Sequence, residues 1–307
     1  MKLIIVGAGK TAEQFLKYKT KKGVEIPFVC DNDSAKWGEK ICGYRITPLE
    51  EILKTNYDLV LLGLCNGGAL IELINQLDSL GVPREKIKFS YDPSFIRFCE
   101  SDLDELFEIP KFEYEVKFEK NKITPREGCK GETEKSHDRR EREGFFEKYC
   151  QGEGLDIGCG EDPIVPGVSG WDILNGDAQY LNGIDDESFD YVYSSHCLEH
   201  MRDVRVAIKN WYRVVRKGGY LIIAVPHRDL YEKRKCLPSR WNGDHKHMFL
   251  LGLAEAPDTL DLEEEVKQSI SEYDLIYAKV CDEGHTITDP LIHSDGEYQI
   301  EMVIKKK

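Results

Sequence analysis

Two short apolar runs that each end in a glycine turn constrain the fold of this chain more than any other feature. Lys2–Val6 leads into Gly7-Ala8-Gly9, and Leu155-Asp156-Ile157 leads into Gly158-Cys159-Gly160. In both halves further short apolar runs alternate with stretches of helical spacing, as buried parallel strands alternate with the helices that cover them. The sequence therefore predicts an α/β chain with one parallel sheet in each half.

The predicted boundary between the halves is a segment rich in charged residues. The chain has 307 residues, about twice the ~100–150 residues most common for one domain. We expect a small Rossmann-like domain over residues 1–95, a charged linker over residues 96–135 and a second α/β domain over residues 136–307. Within the linker, the alternation of apolar and charged residues in Phe112–Phe118 favours a hairpin.

Composition excludes several classes of protein. A formal net charge of −14 disfavours a nucleic-acid partner, because a chain this acidic repels a phosphate backbone. The ten cysteines include no C-x-x-C pair, which argues against a structural zinc site and a disulfide framework. The apolar runs are too short for a signal peptide or a membrane span. We therefore expect a cytoplasmic protein with no membrane insertion.

The second glycine turn is the strongest chemical signal. Glycines at the end of a strand allow a ligand to approach the backbone. Asp172 ends the next apolar run, where a carboxylate can hold two ribose hydroxyls. Further motifs follow in order, namely Phe189-Asp190-Tyr191-Val192, Leu198-Glu199-His200 and Lys217-Gly218-Gly219.

This ordered series resembles the class I S-adenosylmethionine-dependent methyltransferases over about residues 136–250. The resemblance implies a doubly wound, seven-stranded sheet whose last two strands are Tyr273–Cys281 and Tyr298–Lys305. It implies S-adenosylmethionine as the cofactor, and methyl transfer from a sulfonium requires no metal. Two departures from the family are Asp162 in place of a third glycine, and a span before Asp172 too short for the usual helix.

The same resemblance implies the residues that bind the cofactor. Gly158 and Gly160 would pass under its methionine part, and Asp156 would orient the loop and the amino group. Asp172 would take the ribose. Asp177 and Ala178 would contact the edge of the adenine. Ser195 and His196 would lie beside the methionine portion. The full predicted set is Asp156, Gly158, Cys159, Gly160, Asp172, Ile173, Asp177, Ala178, Ser195 and His196.

Histidines are the predicted catalytic residues. A hydroxyl acceptor is helped by a base of near-neutral pKa, which histidine provides. We expect the catalytic set to come from His227, His245 and His196, although His196 can equally line the cofactor pocket. His245 and His247 lack the carboxylate–histidine pattern of a metal site, so no metal is expected.

A basic stretch follows His227 in this otherwise acidic half. Arg228, Arg234 and Arg240 are the predicted contacts for a phosphate or carboxylate on a small-molecule acceptor. Solvated loop residues would show the same pattern, and both interpretations stay open.

The first half has the spacing of a dinucleotide-binding fingerprint. Gly7-Ala8-Gly9 opens a helix, and Asp31 ends the next apolar run 22 positions after Gly9. Cys30-Asp31-Asn32-Asp33 and Thr47-Pro48 also resemble the small front domain of bacterial sugar-modifying acyltransferases, where it is associated with nucleotide-sugar substrates. Substrate docking and a structural role together outweigh NAD chemistry, because no catalytic domain for hydride transfer follows.

The predicted function is transfer of a methyl group from S-adenosylmethionine to a small-molecule acceptor. A bacterial surface-carbohydrate precursor is the favoured acceptor, and O-methylation is favoured over N-methylation. The alternatives are a non-catalytic nucleotide- or sugar-binding protein, and an NAD(P)-dependent oxidoreductase that uses the first domain. The sequence leaves the oligomeric state open.

Overall fold

A computed structural model describes residues 1–89, 93–113, 118, 120–123 and 131–307. The chain divides into a first unit, Met1–Phe112 with Pro238–His245, and a second unit, Glu113–Leu237 with Lys246–Lys307. This division differs from the predicted boundaries, because residues 96–112 and 238–245 both belong to the first unit. The hairpin expected over Phe112–Phe118 falls mostly outside the described residues.

The first unit is built on a six-stranded sheet with the order β3-β4-β2-β1-β5-β6. Neighbouring strands are parallel except β3 and β4. The strands are β1 Leu3–Val6, β2 Val29–Cys30, β3 Lys40–Ile41, β4 Tyr44–Thr47, β5 Leu59–Leu62 and β6 Ile87–Lys88, and the helices are α1 Lys10–Leu16 and α2 Gly67–Ser79. Short 3-10 turns lie at Ser34–Lys36, Leu49–Lys54, Arg84–Lys86 and Asp102–Glu105.

Both faces of this sheet are buried, because alternate residues of β1 point into different cores. Ile5 packs on the α1 side, and Ile4 packs on the α2 side. The segment after β6 completes the α1 side, where the rings of Phe15 and Phe107 lie 5.4 Å apart. Residues 96–112 are therefore part of a packed core instead of a linker.

The second unit is built on a six-stranded sheet with the order β13-β14-β10-β9-β7-β8. Only β14 is antiparallel to its neighbours. The strands are β7 Gly154–Ile157, β8 Ser169–Trp171, β9 Phe189–Ser195, β10 Val215–Pro226, β13 Tyr273–Cys281 and β14 Gln299–Lys306. A separate parallel pair is formed by β11 Met248–Leu250 and β12 Thr259–Asp261.

The doubly wound α/β class is confirmed, but the sheet has six strands among the described residues and not seven. Residues 172–188 form turns and a short 3-10 segment, Ile173–Asn175, where a further strand would come. The free edge of β8 is instead met by residues 121–123, through an antiparallel bridge between Lys122 and Ser169. The last two strands are found where they were predicted.

Helices cover both faces of the second sheet. They are α3 Glu132–Lys135, α4 His137–Arg142, α5 Phe145–Tyr149, α6 Val204–Arg213 and α7 Leu262–Ser269. Trp211 of α6 and Val266 of α7 pack on one face, and Phe145 of α5 packs on the other. In the part of the chain that the structure describes, no helix combines the length and the apolar character needed to cross a membrane.

A buried ion-pair network fixes α4 to β14. Glu301 is fully buried and accepts hydrogen bonds from Arg139 Nη2 at 3.1 Å and Arg140 Nε at 2.7 Å. Burial opposes ionisation of this carboxyl, but the two guanidinium groups outweigh it and lower the pKa of Glu301 to about 2. The network holds the preceding helix α3 close to the start of β14.

Candidate active site

The glycine turn after β7 is shaped by left-handed backbone angles. The φ angle is +74° at Gly158 and +48° at Gly160, a region that glycine adopts without steric cost. An ideal Cβ on Gly158 would lie 2.8 Å from the Cβ of Cys197. An ideal Cβ on Gly160 would have no atom of the described chain within 4 Å. Gly158 therefore packs the turn against the chain after β9, and Gly160 borders open space that a ligand can enter.

Asp172 connects the end of β8 to this turn. Its Oδ2 accepts a hydrogen bond from the Gly160 N–H at 2.8 Å, and its Oδ1 accepts one from the Ile173 N–H at 2.6 Å. The side chain is half-buried, and each carboxylate oxygen can accept more than one hydrogen bond. Asp172 and Ile173 therefore lie at the glycine turn with acceptor capacity left on the carboxylate, and their contact with the ribose stays a prediction.

Asp156 lies on the buried side of the turn. The residue is 2% exposed, and its Oδ2 accepts a hydrogen bond from the Ile164 N–H at 2.7 Å. Burial raises the pKa of Asp156 to about 8. This carboxyl therefore orients the segment that follows the turn, and its contact with the amino group of the cofactor stays a prediction.

Cys159 also faces inward. It is 7% exposed, and burial raises the pKa of its thiol to about 12. An ideal Cβ on Gly170 would lie 2.8 Å from its Sγ. Cys159 therefore packs the turn against β8 as a neutral thiol.

Asp177 and Ala178 anchor the connection between β8 and β9. Asp177 Oδ1 accepts a hydrogen bond from the Gln179 N–H at 2.9 Å. The Ala178 carbonyl accepts one from Trp211 Nε1 at 2.8 Å, which fixes this connection to α6. Both residues are half-buried, and their contact with adenine stays a prediction.

Ser195 and His196 lie at the carboxyl end of β9, next to β10 and β14. Ser195 pairs with Ala224 of β10. His196 has a φ of +49°, and its N–H donates to the Ala224 carbonyl at 3.0 Å. Its Nε2 lies 3.3 Å from Gln299 Oε1. The left-handed backbone at His196 turns its ring toward the start of β14.

A group of polar and aromatic side chains around Tyr298 was missed by the sequence analysis. The Tyr298 hydroxyl donates to Glu132 Oε2 at 2.6 Å, and the Lys135 ammonium contacts the same phenol oxygen. The ring centroid of Tyr298 lies 5.9 Å from that of His196 and 5.1 Å from that of Tyr231. We call Glu132, Lys135, Tyr231 and Tyr298 the Tyr298 cluster.

The Tyr298 cluster keeps a carboxylate charged beside a neutral phenol. Burial opposes ionisation of Glu132, but His196, Tyr298 and Lys135 lower the pKa of this carboxyl. Burial and the Glu132 charge raise the pKa of Tyr298. Glu132 lies in the predicted linker, 166 positions from its partner, so no local pattern could have paired the two.

His227 follows β10 at the same end of the sheet. Its N–H donates to the Tyr298 carbonyl at 2.8 Å. Its Nδ1 is buried and has no hydrogen-bond partner among the described residues. Burial lowers the pKa of His227, so the imidazole is neutral at pH 7 and can accept a proton.

The structure corrects the predicted role of Arg228, which begins a single π-helical turn, Arg228–Glu232. It is 4% exposed, and its guanidinium donates to Asp229 Oδ1 at 2.7 Å and Glu255 Oε2 at 2.6 Å. These carboxylates satisfy its charge, so Arg228 holds the segment before β12 instead of binding an acceptor. Arg234 is half-buried, and its role stays a prediction.

Arg240 and His245 belong to the first unit, contrary to the predicted domain boundary. His245 is 2% exposed, and its N–H donates to the Asn242 carbonyl at 3.2 Å. Close backbone packing within the first unit is the reason, since an ideal Cβ on Gly67 would lie 2.6 Å from the Arg240 carbonyl oxygen. The predicted roles of Arg240 in acceptor binding and of His245 in catalysis stay predictions.

Two family models match the chain, one in each unit. A methyltransferase domain model matches residues 164–223. A model described as "C2185-like, N-terminal" matches residues 1–88. The resemblance of the first unit to sugar acyltransferase domains stays a prediction, and no curated protein matches the chain.

Several solved methyltransferases are similar in structure at low sequence identity. An S-adenosylmethionine-dependent methyltransferase from Thermotoga maritima, described as a possible histamine N-methyltransferase, is 16% identical, with 56% of this chain and 99% of that chain covered and a TM-score of 0.32. One from Clostridium acetobutylicum is 10% identical, with 57% and 92% covered and a TM-score of 0.35. One from Mesorhizobium loti is 12% identical, with 50% and 90% covered and a TM-score of 0.31.

The methyltransferase domain match covers β8, β9 and most of β10 and includes six of the ten predicted cofactor residues, whereas the four from Asp156 to Gly160 lie before it. It begins in the turn after Gly160 and ends within β10. Together with the glycine turn and Asp172, it confirms the predicted enzyme class and cofactor. The second unit therefore carries a methyltransferase domain.

Proposed function

We propose that the second unit methylates a hydroxyl of a small-molecule acceptor, with His227 as the general base. The observation that supports this proposal best is the buried Nδ1 of His227, which has no hydrogen-bond partner in the described part of the chain. A neutral imidazole at the end of a strand can accept the hydroxyl proton as the oxygen forms its new bond. N-methylation of a neutral amine would not need a base held ready in this way.

The cofactor residues fit S-adenosylmethionine at the glycine turn. Gly160 borders open space, and Asp172 presents a carboxylate beside it. When bound, S-adenosylmethionine supplies a methyl group on a positively charged sulfur. The chain's own task is to hold the acceptor oxygen in line, because alignment of two reacting groups alone can supply ~7–11 kcal/mol.

The Tyr298 cluster supports a polyhydroxylated acceptor. Glu132 is ionised and partly exposed, so it can accept hydrogen bonds from hydroxyl groups. The buried rings of Tyr231 and Tyr298 pack beside it and fix its position. A bacterial surface-carbohydrate precursor remains the proposed class, and the likeness of the first unit to sugar acyltransferase domains is its second support.

The first experiment separates the proposed function from its alternatives. We expect S-adenosylhomocysteine to raise the melting temperature and NAD to leave it unchanged. Cell extract supplied with methyl-labelled cofactor should then yield a labelled product by mass spectrometry. Stabilisation by NAD alone would favour an oxidoreductase, and cofactor binding without any labelled product would favour a binding protein.

The second experiment tests His227 with the acceptor so identified. We expect His227→Gln to lower kcat by ~100-fold, the usual contribution of a general base. Wild-type kcat/KM should rise with pH only up to the lowered pKa of His227, below 6.5, and then stay level through pH 8. His227→Gln should lose that rise.

His247→Gln is the matched control for this variant. Burial also lowers the pKa of His247, but its Nε2 lies 3.0 Å from the Met201 carbonyl, a structural hydrogen bond. The control should lose stability and keep the pH profile. Unchanged kcat in His227→Gln would remove this residue from the mechanism.

A further inference from the structure

One segment of the loop between β10 and β11 is part of the first unit. Residues 238–245 belong to the first unit, although Leu237 before them and Lys246 after them belong to the second. Ser239, Gly243 and His245 are buried. We call residues 238–245 the docked segment.

The docked segment packs against the chain that follows β5. An ideal Cβ on Gly67, the first residue of α2, would lie 2.6 Å from the Arg240 carbonyl oxygen. An ideal Cβ on Gly243 would lie 2.9 Å from the Cys65 carbonyl carbon. Real Cβ atoms do not approach other atoms so closely, so both contacts need a glycine.

This position is one wall of the crevice where such sheets bind ligands. The sheet order places β1 between β2 and β5, so the chain changes direction between β1 and β5. Ligands of open α/β sheets bind at that switch point, outside the carboxyl ends of the strands. The wall after β5 is already covered by the Ser239 and Arg240 backbone.

The polar groups of the wall after β1 also already have hydrogen-bond partners. Asp31 is 8% exposed, and its Oδ2 accepts from the Ala8 N–H at 2.6 Å and from Lys36 Nζ at 3.1 Å. Its Oδ1 accepts from the Asp33 N–H at 2.8 Å. The amide and carboxylate that a dinucleotide would require are thus paired with each other.

The docked segment has a defined shape of its own. Ser239 Oγ accepts hydrogen bonds from the Trp241 N–H at 3.2 Å and the Asn242 N–H at 3.1 Å. Asn242 Oδ1 accepts one from the Asp244 N–H at 3.1 Å. Such local turns limit the conformations of the segment and reduce the entropy lost on docking.

We propose that the first unit is an anchor for the loop between β10 and β11, and that its crevice holds the docked segment in place of a nucleotide. The loop begins beside His227, at the end of the strand where we place the acceptor. The inference rests on the proposed function only for what the loop does in catalysis. Docking itself requires no acceptor and can be measured without one.

Two neighbouring glycines provide a matched test. Gly67→Ala places a methyl group on the Arg240 backbone, whereas an ideal Cβ on Gly68 would lie no closer than 3.4 Å to any atom. We expect Gly67→Ala to speed amide hydrogen exchange of residues 238–245 by ~10-fold or more, because overpacking a tight contact opens it locally. Gly68→Ala should leave that exchange unchanged, and both variants should bind S-adenosylhomocysteine with wild-type affinity.

Binding of NAD and UDP to the wild-type chain completes the test. We expect no heat of binding for either in calorimetry, and no change in exchange of residues 238–245. Binding of either nucleotide with changed exchange there, or equal exchange in the two variants, would overturn the proposal. If Gly67→Ala does not fold, Gly243→Ala offers the same contact from the other side. If the wild-type protein does not bind S-adenosylhomocysteine, that result would count against the proposed function and not against the docking.

Discussion

Each glycine turn of this chain contacts an aspartate at the end of the next strand, but the two aspartates differ in exposure and in ion pairing. In the first unit the Ala8 N–H donates to Asp31, at the end of the next strand, at 2.6 Å. In the second unit the Gly160 N–H donates to Asp172, also at the end of the next strand, at 2.8 Å. Each turn thus donates one backbone N–H to the carboxylate after the next strand, from its second residue in the first unit and from its third residue in the second unit.

The difference lies in what surrounds each carboxylate. Asp31 is 8% exposed and pairs with the Lys36 ammonium. Asp172 is half-buried and has no cationic partner among the described residues. The carboxylate of Asp31 therefore has a structural role, and the carboxylate of Asp172 keeps accessible oxygen for a ligand. Motif spacing alone does not distinguish a binding turn from a structural one.

The strands before the two turns also differ, because one places an apolar side chain and the other a carboxyl in the core. Two residues before the glycine, β1 has Ile5 and β7 has Asp156, both buried. A buried isoleucine stabilises the first unit through packing. A buried carboxyl of raised pKa costs stability in the second unit, which is a typical property of a functional site.

We expect the largest change in cofactor affinity from a bulky side chain placed on the open side of the second turn, with the first turn as the control. Neither Gly9 nor Gly160 would have a described atom within 4 Å of an ideal Cβ. Gly160→Arg should weaken S-adenosylhomocysteine binding by more than ~100-fold in calorimetry, because the side chain enters the space next to Asp172 and adds strain at a positive φ. Gly9→Arg should leave binding unchanged. Equal effects of the two variants would mean that the turns do not differ in function.

Substitution of Gly158 is a less specific test of cofactor binding than substitution of Gly160. Gly158→Arg should also abolish cofactor binding. It would press on Cys197 as well, so we expect a lower melting temperature in that variant.

The second expected effect is on stability, because Asp156 makes the free energy of unfolding of the second unit depend on pH. Its carboxyl has a pKa of about 3.9 when unfolded and about 8 when folded. Between these values the unfolded chain ionises it and the folded chain keeps the proton, so the free energy of unfolding falls as pH rises. Asp156→Asn should remove that fall, which is about 4 kcal/mol between pH 5 and pH 8, measured by urea unfolding.

Ile5→Val provides the control in the first unit. It should cost about 1 kcal/mol of stability at every pH, because it removes only a buried methyl group. Identical pH dependence in Asp156→Asn and the wild type would show that Asp156 is not held protonated.

The smallest effect comes from exchanging each aspartate for asparagine. Asp172→Asn should weaken S-adenosylhomocysteine binding by ~10-fold, the loss of a charge-assisted hydrogen bond to a hydroxyl. Asp31→Asn should keep that affinity and cost about 1 kcal/mol of stability, since Lys36 and the Ala8 N–H lose their charged partner. Reduced affinity in Asp31→Asn alone would reverse the roles of the two turns.

Local patterns predicted much of the fold and of the cofactor site. The glycine turns, the run before Asp172 and the two final strands depend on neighbours in sequence, and all of them are found. The short span after Gly160 indeed has no helix. Arg228 was misinterpreted because its partner Glu255 lies 27 positions away, too far for a local charge pattern to reveal.

The sequence by itself determined the α/β class, which follows from apolar periodicity, and predicted the enzyme class and the cofactor turn through the resemblance of its ordered motifs to a known family. Only the tertiary structure decided which carboxylates are free, that Glu132 joins Tyr298, and that residues 238–245 belong to the first unit. Those outcomes depend on contacts between residues far apart in sequence, where burial and neighbouring charges set what each side chain can do.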